Sequence, residues 1–313
     1  MAWPAAAWAQ QSAMPTIGLL GTTSTEAEVR LIPFRQALNE AGYIEGQNVR
    51  IVYRWVENHY ERFPALAADL VKLQVNVIVS LGGTPGALAA KAATATIPIV
   101  FQAGIDPVEA GIVSSLNRPG GNITGVSQLL AATLPKQLQL LHEAVPTTHD
   151  IGFLFNQSNP LYSDALLKEL EAAAGTLGAN LHLLHANTES EFDAAFAKLI
   201  GLQAASLVVG PDLFFLSRRD LLVALAARHS VPAIYPWREG ATAGGLMSYA
   251  SSQADTYRQV GILTARVLKG DRPADLPVQQ SIKVELVLNL KTAKTLGITF
   301  PLSLLGRADE VIE

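Results

Sequence analysis

The chain has 313 residues, of which 49% are hydrophobic and 16% charged. That balance belongs to a folded globular protein rather than a disordered one, and the length suits two lobes of about 140 residues, each able to bury a core. The net charge of −4 and the lack of any Lys or Arg run exclude a polyphosphate-binding surface, so nucleic acid is not an expected partner. There is no cysteine, which excludes thiol catalysis, thiolate metal sites, disulfides and a lipid-bearing Cys.

Residues 1–14 (MAWPAAAWAQQSAM) are apolar and rich in small side chains. Ala7-Trp8-Ala9 before Gln10 has the small-x-small form of a signal-peptidase site. The segment reads as the remnant of a secretory signal or as a disordered leader, and the first reading predicts a secreted, periplasmic, soluble protein. No other stretch approaches the ~18 uninterrupted apolar residues of a membrane span.

From there strands and helices alternate. Residues 16–21 (TIGLLG) form a buried strand, and the helical spacing of Val29, Ile32, Leu38 and Ala41 predicts a helix over 26–41. Ser24 or Thr25 is placed to cap it, Glu26 and Glu28 complement its dipole, and Gly42 stops it. Strands follow at 49–55, 75–81 and 97–101, with helices at 62–73 and 85–95 between them. Asp106-Pro107 opens a predicted helix running to Leu116, then RPGGN turns the chain into a short strand at 123–127. A helix at 134–145 leads into a second half, where strands at 151–155, 181–184, 207–209, 233–235 and 246–249 enclose helices at 162–177, 190–202 and 217–229. A long helix at 253–268, a strand at 284–288, a helical turn at 291–296 and a tail complete the chain.

Residues 75–101 and 205–235 repeat one pattern: an apolar β-branched run, a Gly/Pro/Thr/Asp break, an Ala/Leu-rich helix, then a Pro opening a second apolar run. Each copy is a β-α-β unit. The fold class is therefore α/β, two doubly wound parallel-sheet lobes with the functional site in the cleft between them. Material beyond Tyr249 exceeds what one lobe needs, so the chain crosses between lobes more than once and forms a multi-strand hinge.

Ligands of doubly wound sheets bind beyond the carboxyl ends of strands, beside helix N-termini. That rule selects the loops at 22–25, 82–85, 102–106, 156–159, 211–214, 236–238 and 248–251. Thr22, Thr23, Ser24, Thr84 and Ser158 offer neutral donors, Gly83 and Pro85 bracket a helix start, and Gln102, Asn156 and Asn159 are further polar candidates. Asp106 and Asp212 are acceptors suited to an ammonium, while Phe214, Tyr235, Trp237 and Tyr249 supply aromatic walls. Together they suit a small amphoteric molecule with an apolar body. Structural roles compete with each: Thr22–Thr25 as helix caps, Asp106 as a helix-opening acid, and the aromatics as core. Six scattered histidines, no HExxH and no GxSxG elbow leave no catalytic residues, no metal site and no cofactor to expect.

Six stretches carry a family likeness: FRQALNEAGYIEGQNVRIVYRW (34–55), ALAADLV (65–71), GGTPGALAAKAATATIPIVF (82–101), DPVEAGIVSSLNRPGGNITGVS (106–127), RRDLLVALAARHSVPAIYPWRE (218–239) and GGLMSYASS (244–252). In these the chain resembles the substrate-binding proteins of ABC transporters, the type I periplasmic binding proteins whose relatives take up tryptophan or phenylalanine. The resemblance implies two lobes, three crossovers and hinged closure. It returns helix 253–268 to the first lobe and strand 284–288 to the second, dividing the chain into residues 15–127 plus 251–279 and residues 128–250 plus 280–313. It implies that Asp212 meets a ligand ammonium, with Asn156, Ser158 and Asn159 in the neighbouring loop; Leu213-Phe214-Phe215 departs from the family's more polar continuation. The expected function is an extracytoplasmic receptor, a monomer handing an aromatic or other amino acid, or an aromatic acid, to a membrane permease. The alternative is a ligand-sensing module for a signalling or transcriptional partner in trans, and enzymatic activity is not expected.

Overall fold

The computed structural model describes residues 14–25, 27–128, 130–159, 161–202, 205–281 and 283–313. The Ala7-Trp8-Ala9 motif and Glu26 lie outside the described residues. In chain order the strands are β1 (Thr16–Gly21), β2 (Arg50–Trp55), β3 (Val77–Ser80), β4 (Ile99–Ala103), β5 (Ile123–Ser127), β6 (Asp150–Phe155), β7 (Asn180–His185), β8 (Ala205–Val209), β9 (Ala233–Tyr235), β10 (Met247–Ser251), β11 (Gln279–Gln280), β12 (Val284–Asn289) and β13 (Glu310–Ile312).

They form two sheets, ordered β2-β1-β3-β4-β5-β11 and β7-β6-β8-β9-β10-β12-β13. Every neighbouring pair is parallel except β10 and β12. Both halves thus repeat the doubly wound 2-1-3-4-5 order. The central strands β1, β3, β4 and β5 are buried along their whole length, as apolar runs covered by helices on both faces must be. Edge strand β2 stays half exposed, and its Trp55 ring lies over Gly21 in register, where a Cβ would stand only 2.1 Å from the ring.

The chain crosses between the lobes three times, and the crossings touch one another. The first runs from β5 through Gln128 into the helix Leu130–Ala144. The second leaves β10 at Ser251 for the helix Gln253–Leu268, which packs on the helix Ile32–Glu40 of the first lobe through a tight contact at Gly261. The third passes from β11 to β12. Ser251 Oγ donates to the Gln128 carbonyl (3.1 Å), Ser281 N to the Ser127 carbonyl (2.8 Å) and Ser252 N to the Lys283 carbonyl (3.1 Å).

Three expectations are corrected. The segment after Asp106 is a single turn rather than a helix to Leu116. Asp106 Oδ1 accepts from Val108 N (2.7 Å), then Gly111 enters the left-handed region (φ +67) and the amides of Ile112 and Val113 both fold back onto the Pro107 carbonyl. The first helix is interrupted between Ala27–Arg30 and Ile32–Glu40, because Pro33 has no N–H to continue it. The tail is not structureless: the helix Leu302–Leu305 returns the chain to β13, which pairs with β12.

Candidate functional site

A cleft lies between the lobes, where about 610 Å3 of empty space includes open solvent. The first lobe supplies Tyr60, the Gly82–Pro85 segment and Gln102; the second supplies Asn159, Leu161, Asp212, Leu213 and Trp237; Gln128, Ser251 and Gln253 come from the crossovers. Among the described residues lining it, none is Lys, Arg or His.

On the first-lobe side the helix Gly83–Ala93 begins at the cavity wall. Its N-cap, Gly82, provides no side-chain cap, so the first-turn amides have no acceptor from that source. Gly82 is demanded by packing, since a Cβ there would lie 2.4 Å from the Phe63 ring. Gly83 adopts φ +65, which a residue with a side chain takes only at a cost.

On the second-lobe side Asp212 is almost fully buried. Its Oδ1 caps the short helix Leu213–Ser217, accepting from Phe214 N (2.8 Å) and Phe215 N (3.3 Å). Its Oδ2 accepts from Asn159 Nδ2 (2.8 Å) and, across the cleft, from the Tyr60 hydroxyl (3.3 Å). Burial raises the Asp212 pKa above the ordinary carboxylate value, against the lowering effect of these donors. Burial and then the charge of Asp212 hold the Tyr60 phenol well above its usual pKa, so Tyr60 keeps its proton and acts as the donor.

A second bond spans the lobes, from Asn58 Nδ2 to Ser217 Oγ (3.3 Å). Both cross-cleft donors ride on the loop after β2, where Glu57 and Asn58 occupy the left-handed region (φ 51 and 63). Backbone strain of this kind persists where surrounding contacts over-determine it. Here Asn58 N is bound to the Thr22 carbonyl (3.0 Å), and Glu57 accepts from Thr23 Oγ1 (3.2 Å) and Ser24 N (3.3 Å).

The structure therefore sorts the sequence candidates. Gly83, Thr84, Pro85, Gln102, Asn159, Asp212 and Trp237 meet at the interlobe cavity. Thr23 and Ser24 stand behind it, holding the 57–60 loop, and Thr22 lines a separate small cavity with Arg30, Trp55 and Tyr257. Asn156, Ser158 and Phe214 border an outer groove shared with Glu57, His59 and Arg218; Phe214 also stacks on Phe192 (5.6 Å between centroids). Tyr235 is fully buried in the second-lobe core against Gly240 and Gly245, Tyr249 packs at the edge of that lobe's other core cluster, and Asp106 caps its own turn.

Tyr60, Gln128, Leu161 and Gln253 are cavity residues outside the loops selected from the sequence, while Leu213 and Ser251 lie inside two of those loops without having been named as ligand contacts. Tyr60 and Gln128 follow the carboxyl ends of β2 and β5, so the strand-end rule extended to those two loops finds them.

The family described as ABC transporter substrate binding protein matches residues 29–312. The chain belongs to that family. It is 30% identical over 265 residues to a tyrosine-binding protein of Clostridioides difficile (strain R20291), covering 85% of this chain and 75% of the relative. Among solved structures it resembles an ABC domain from Streptococcus pneumoniae in complex with L-Trp: TM-score 0.84, 27% identity, 95% of this chain and 99% of that one. It also resembles the ligand-free, open structure of a substrate-binding protein with adhesive properties from Clostridium difficile, with TM-score 0.67, 25% identity and the same coverage. Likeness at low identity to a leucine-binding protein from Thermotoga maritima (13%, TM-score 0.57) shows the type I periplasmic binding fold. Members of this family are solute receptors rather than enzymes, and among the described residues no helix is long and apolar enough to cross a membrane.

Proposed function

We propose that this receptor captures an aromatic amino acid in the interlobe cavity and delivers it, as a periplasmic monomer, to the permease of an ABC importer. The observation that carries this reading is the chemistry of the cavity wall. A zwitterion with a flat apolar body needs an anion site, an acceptor and an apolar slot, and the described lining offers candidates for each with no cationic side chain among them. The uncapped start of the helix Gly83–Ala93, with the Thr84 hydroxyl beside it, suits the ligand carboxylate. Trp237, Leu161, Leu213, Pro85 and Pro211 supply the slot for the ring.

The tyrosine- and tryptophan-binding relatives support the choice of ligand. The lobes are taken as residues 15–127 plus 251–279 and residues 128–250 plus 280–313, so that closure is a rotation about the three crossings. The cross-cleft bonds of Tyr60 and Asn58 then belong to the closed state, and ligand shifts the population toward it. Titration calorimetry with L-tryptophan, L-tyrosine and L-phenylalanine, paired with mass spectrometry of whatever co-purifies, tests the reading. Binding of at least one of the three supports it; no heat from any of them, with a different solute class co-purifying, overturns it.

A further inference from the structure

Three glutamine amides, those of Gln102 and Gln128 buried and that of Gln253 half-buried, form a chain along the end of the cavity that adjoins the crossovers. Gln102 Nε2 donates to Gln128 Oε1 (2.5 Å), and Gln128 Nε2 donates both to Gln253 Oε1 (3.1 Å) and to Thr256 Oγ1 (3.2 Å). An amide chain of this kind can run in either direction, because oxygen and nitrogen exchange places on a flip. Its direction here is set at one end. The Thr256 hydroxyl donates to the Ser252 carbonyl one turn back (3.0 Å), so Oγ1 offers only lone pairs to Gln128. Gln128 must then present its nitrogen to Thr256 and Gln253, and its oxygen to Gln102. Gln102 in turn must donate, which leaves Gln102 Oε1, on a residue 3% exposed, without a partner. At the far end the Gln253 amide faces the buried Tyr257 phenol.

The sequence resemblance assigns a ligand ammonium to Asp212, but both oxygens of that carboxylate already serve four protein donors. A carboxylate has about four lone-pair positions, so it is saturated while the lobes are closed. Gln102 lines the cavity and its buried Oε1 is an acceptor without a partner, while Gln253, on the same wall, leaves its donor Nε2 without one.

We infer that Thr256, acting through Gln128, fixes Gln102 as the acceptor for the ligand amine and so makes the receptor select amino acids over their des-amino acids. The inference rests on the aromatic amino acid reading above. Gln102 touches the ligand; Thr256, fully buried behind Gln128, is a positioning residue. Reversing the chain would take the Thr256 hydroxyl off Ser252, and with that hydroxyl gone nothing at Thr256 holds the direction.

The test compares the dissociation constants of L-phenylalanine with 3-phenylpropionate, and of L-tryptophan with indole-3-propionate, by calorimetry. The phenylalanine pair isolates the amine, since neither member has another N–H. In the wild type the amino acid should bind about tenfold or more tightly than its partner, because a site built around a hydrogen-bonding group rejects the analogue that lacks it. Thr256→Val should cut that preference about fivefold or more, Thr256→Ser should retain it, and Gln102→Glu in the Thr256→Val background should restore it, because a carboxylate accepts in either orientation. If Thr256→Val does not fold, Gln102→Leu alone decides: it removes the acceptor and should cut the preference about fivefold or more. A folded Thr256→Val with the wild-type preference, an unaltered preference in Gln102→Leu, or equal binding of both wild-type ligands overturns the inference while leaving the receptor reading intact. A wild type that binds no aromatic amino acid overturns that reading, and this inference with it.

Discussion

Replacing Tyr60 by Phe removes one hydroxyl and tests whether the cross-cleft bond contributes to closure. The hydroxyl donates to Asp212 Oδ2 at 3.3 Å, at the long end for such a bond, and Asp212 keeps Asn159, Phe214 and Phe215 as donors when it is lost. A hydrogen bond to a charged group contributes about 1.5–3 kcal/mol net. Three features pull the figure down here: the length, the remaining donors, and the hydration of both partners once the lobes part. That leaves about 1 kcal/mol, or about a fivefold shift in the closed–open equilibrium. Because the bond joins the two lobes and neither lobe's core, Tyr60→Phe should weaken ligand binding about fivefold and leave the unfolding of the ligand-free protein nearly unmoved. Calorimetry with the best-binding aromatic amino acid gives the first quantity and urea unfolding the second. A dissociation constant within about twofold of wild type would show that closure draws nothing from this bond.

Trp237→Ala empties the aromatic wall and should weaken binding of aromatic ligands about tenfold or more while sparing aliphatic ones, read by calorimetry across both classes. The pH dependence of stability should carry the sign of Asp212. Burial raises its native pKa above the ordinary 3.8, so ionising it costs stability, and that cost is full above the raised pKa and gone near pH ~4. Asp212→Asn keeps an oxygen for the Phe214 and Phe215 amides. Its stability relative to wild type should therefore be highest near pH ~8 and decline toward pH ~4 in urea unfolding, and the reverse slope refutes the assignment. At Gly261 a Cβ would stand 2.7 Å from the Phe34 carbonyl oxygen and 2.8 Å from Ala37 Cβ. Gly261→Leu should cost about 1–3 kcal/mol or more by overpacking, and should also weaken ligand binding because Gln253 rides on the displaced helix.

Much of the architecture is legible in the residues because it rests on local signals. β1, β3 and β4 are continuous apolar runs, the Gly and Pro breaks mark their ends, and strand-end loops such as 82–85 and 211–212 follow from the parallel order. The departures occur where distant contacts override local ones. Thr22–Ser24 have the form of a helix cap and a ligand loop at once, yet they serve Glu57 and Asn58, more than thirty residues on. Tyr235 follows an apolar strand as a cleft aromatic would, but Gly240 and Gly245 lack the side chains that would otherwise exclude its ring from the core. The role of Tyr60 requires knowing that Asp212, 152 residues away, faces it when the lobes meet. No periodicity encodes that approach.

On the proposed reading the crossovers line the binding surface as well as forming its hinge. A ligand held between the tips of two lobes loses one lobe's contacts when they part, and that loss is a differential affinity favouring the closed form. Gln128 and Ser251 lie where two of the crossing segments change lobes, and they are bonded to each other through Ser251 Oγ and the Gln128 carbonyl. If closure is a rotation about the crossings, a solute seated against them touches the segments that move. Differential affinity for the closed form must supply the shift, about 5.5 kcal/mol to carry a population from 1:99 to 99:1. The cross-cleft bonds of Tyr60 and Asn58 are too long and too few to provide it, so on the proposed reading most of it comes from ligand contacts with the helix start at Gly83, Trp237 and the glutamine chain.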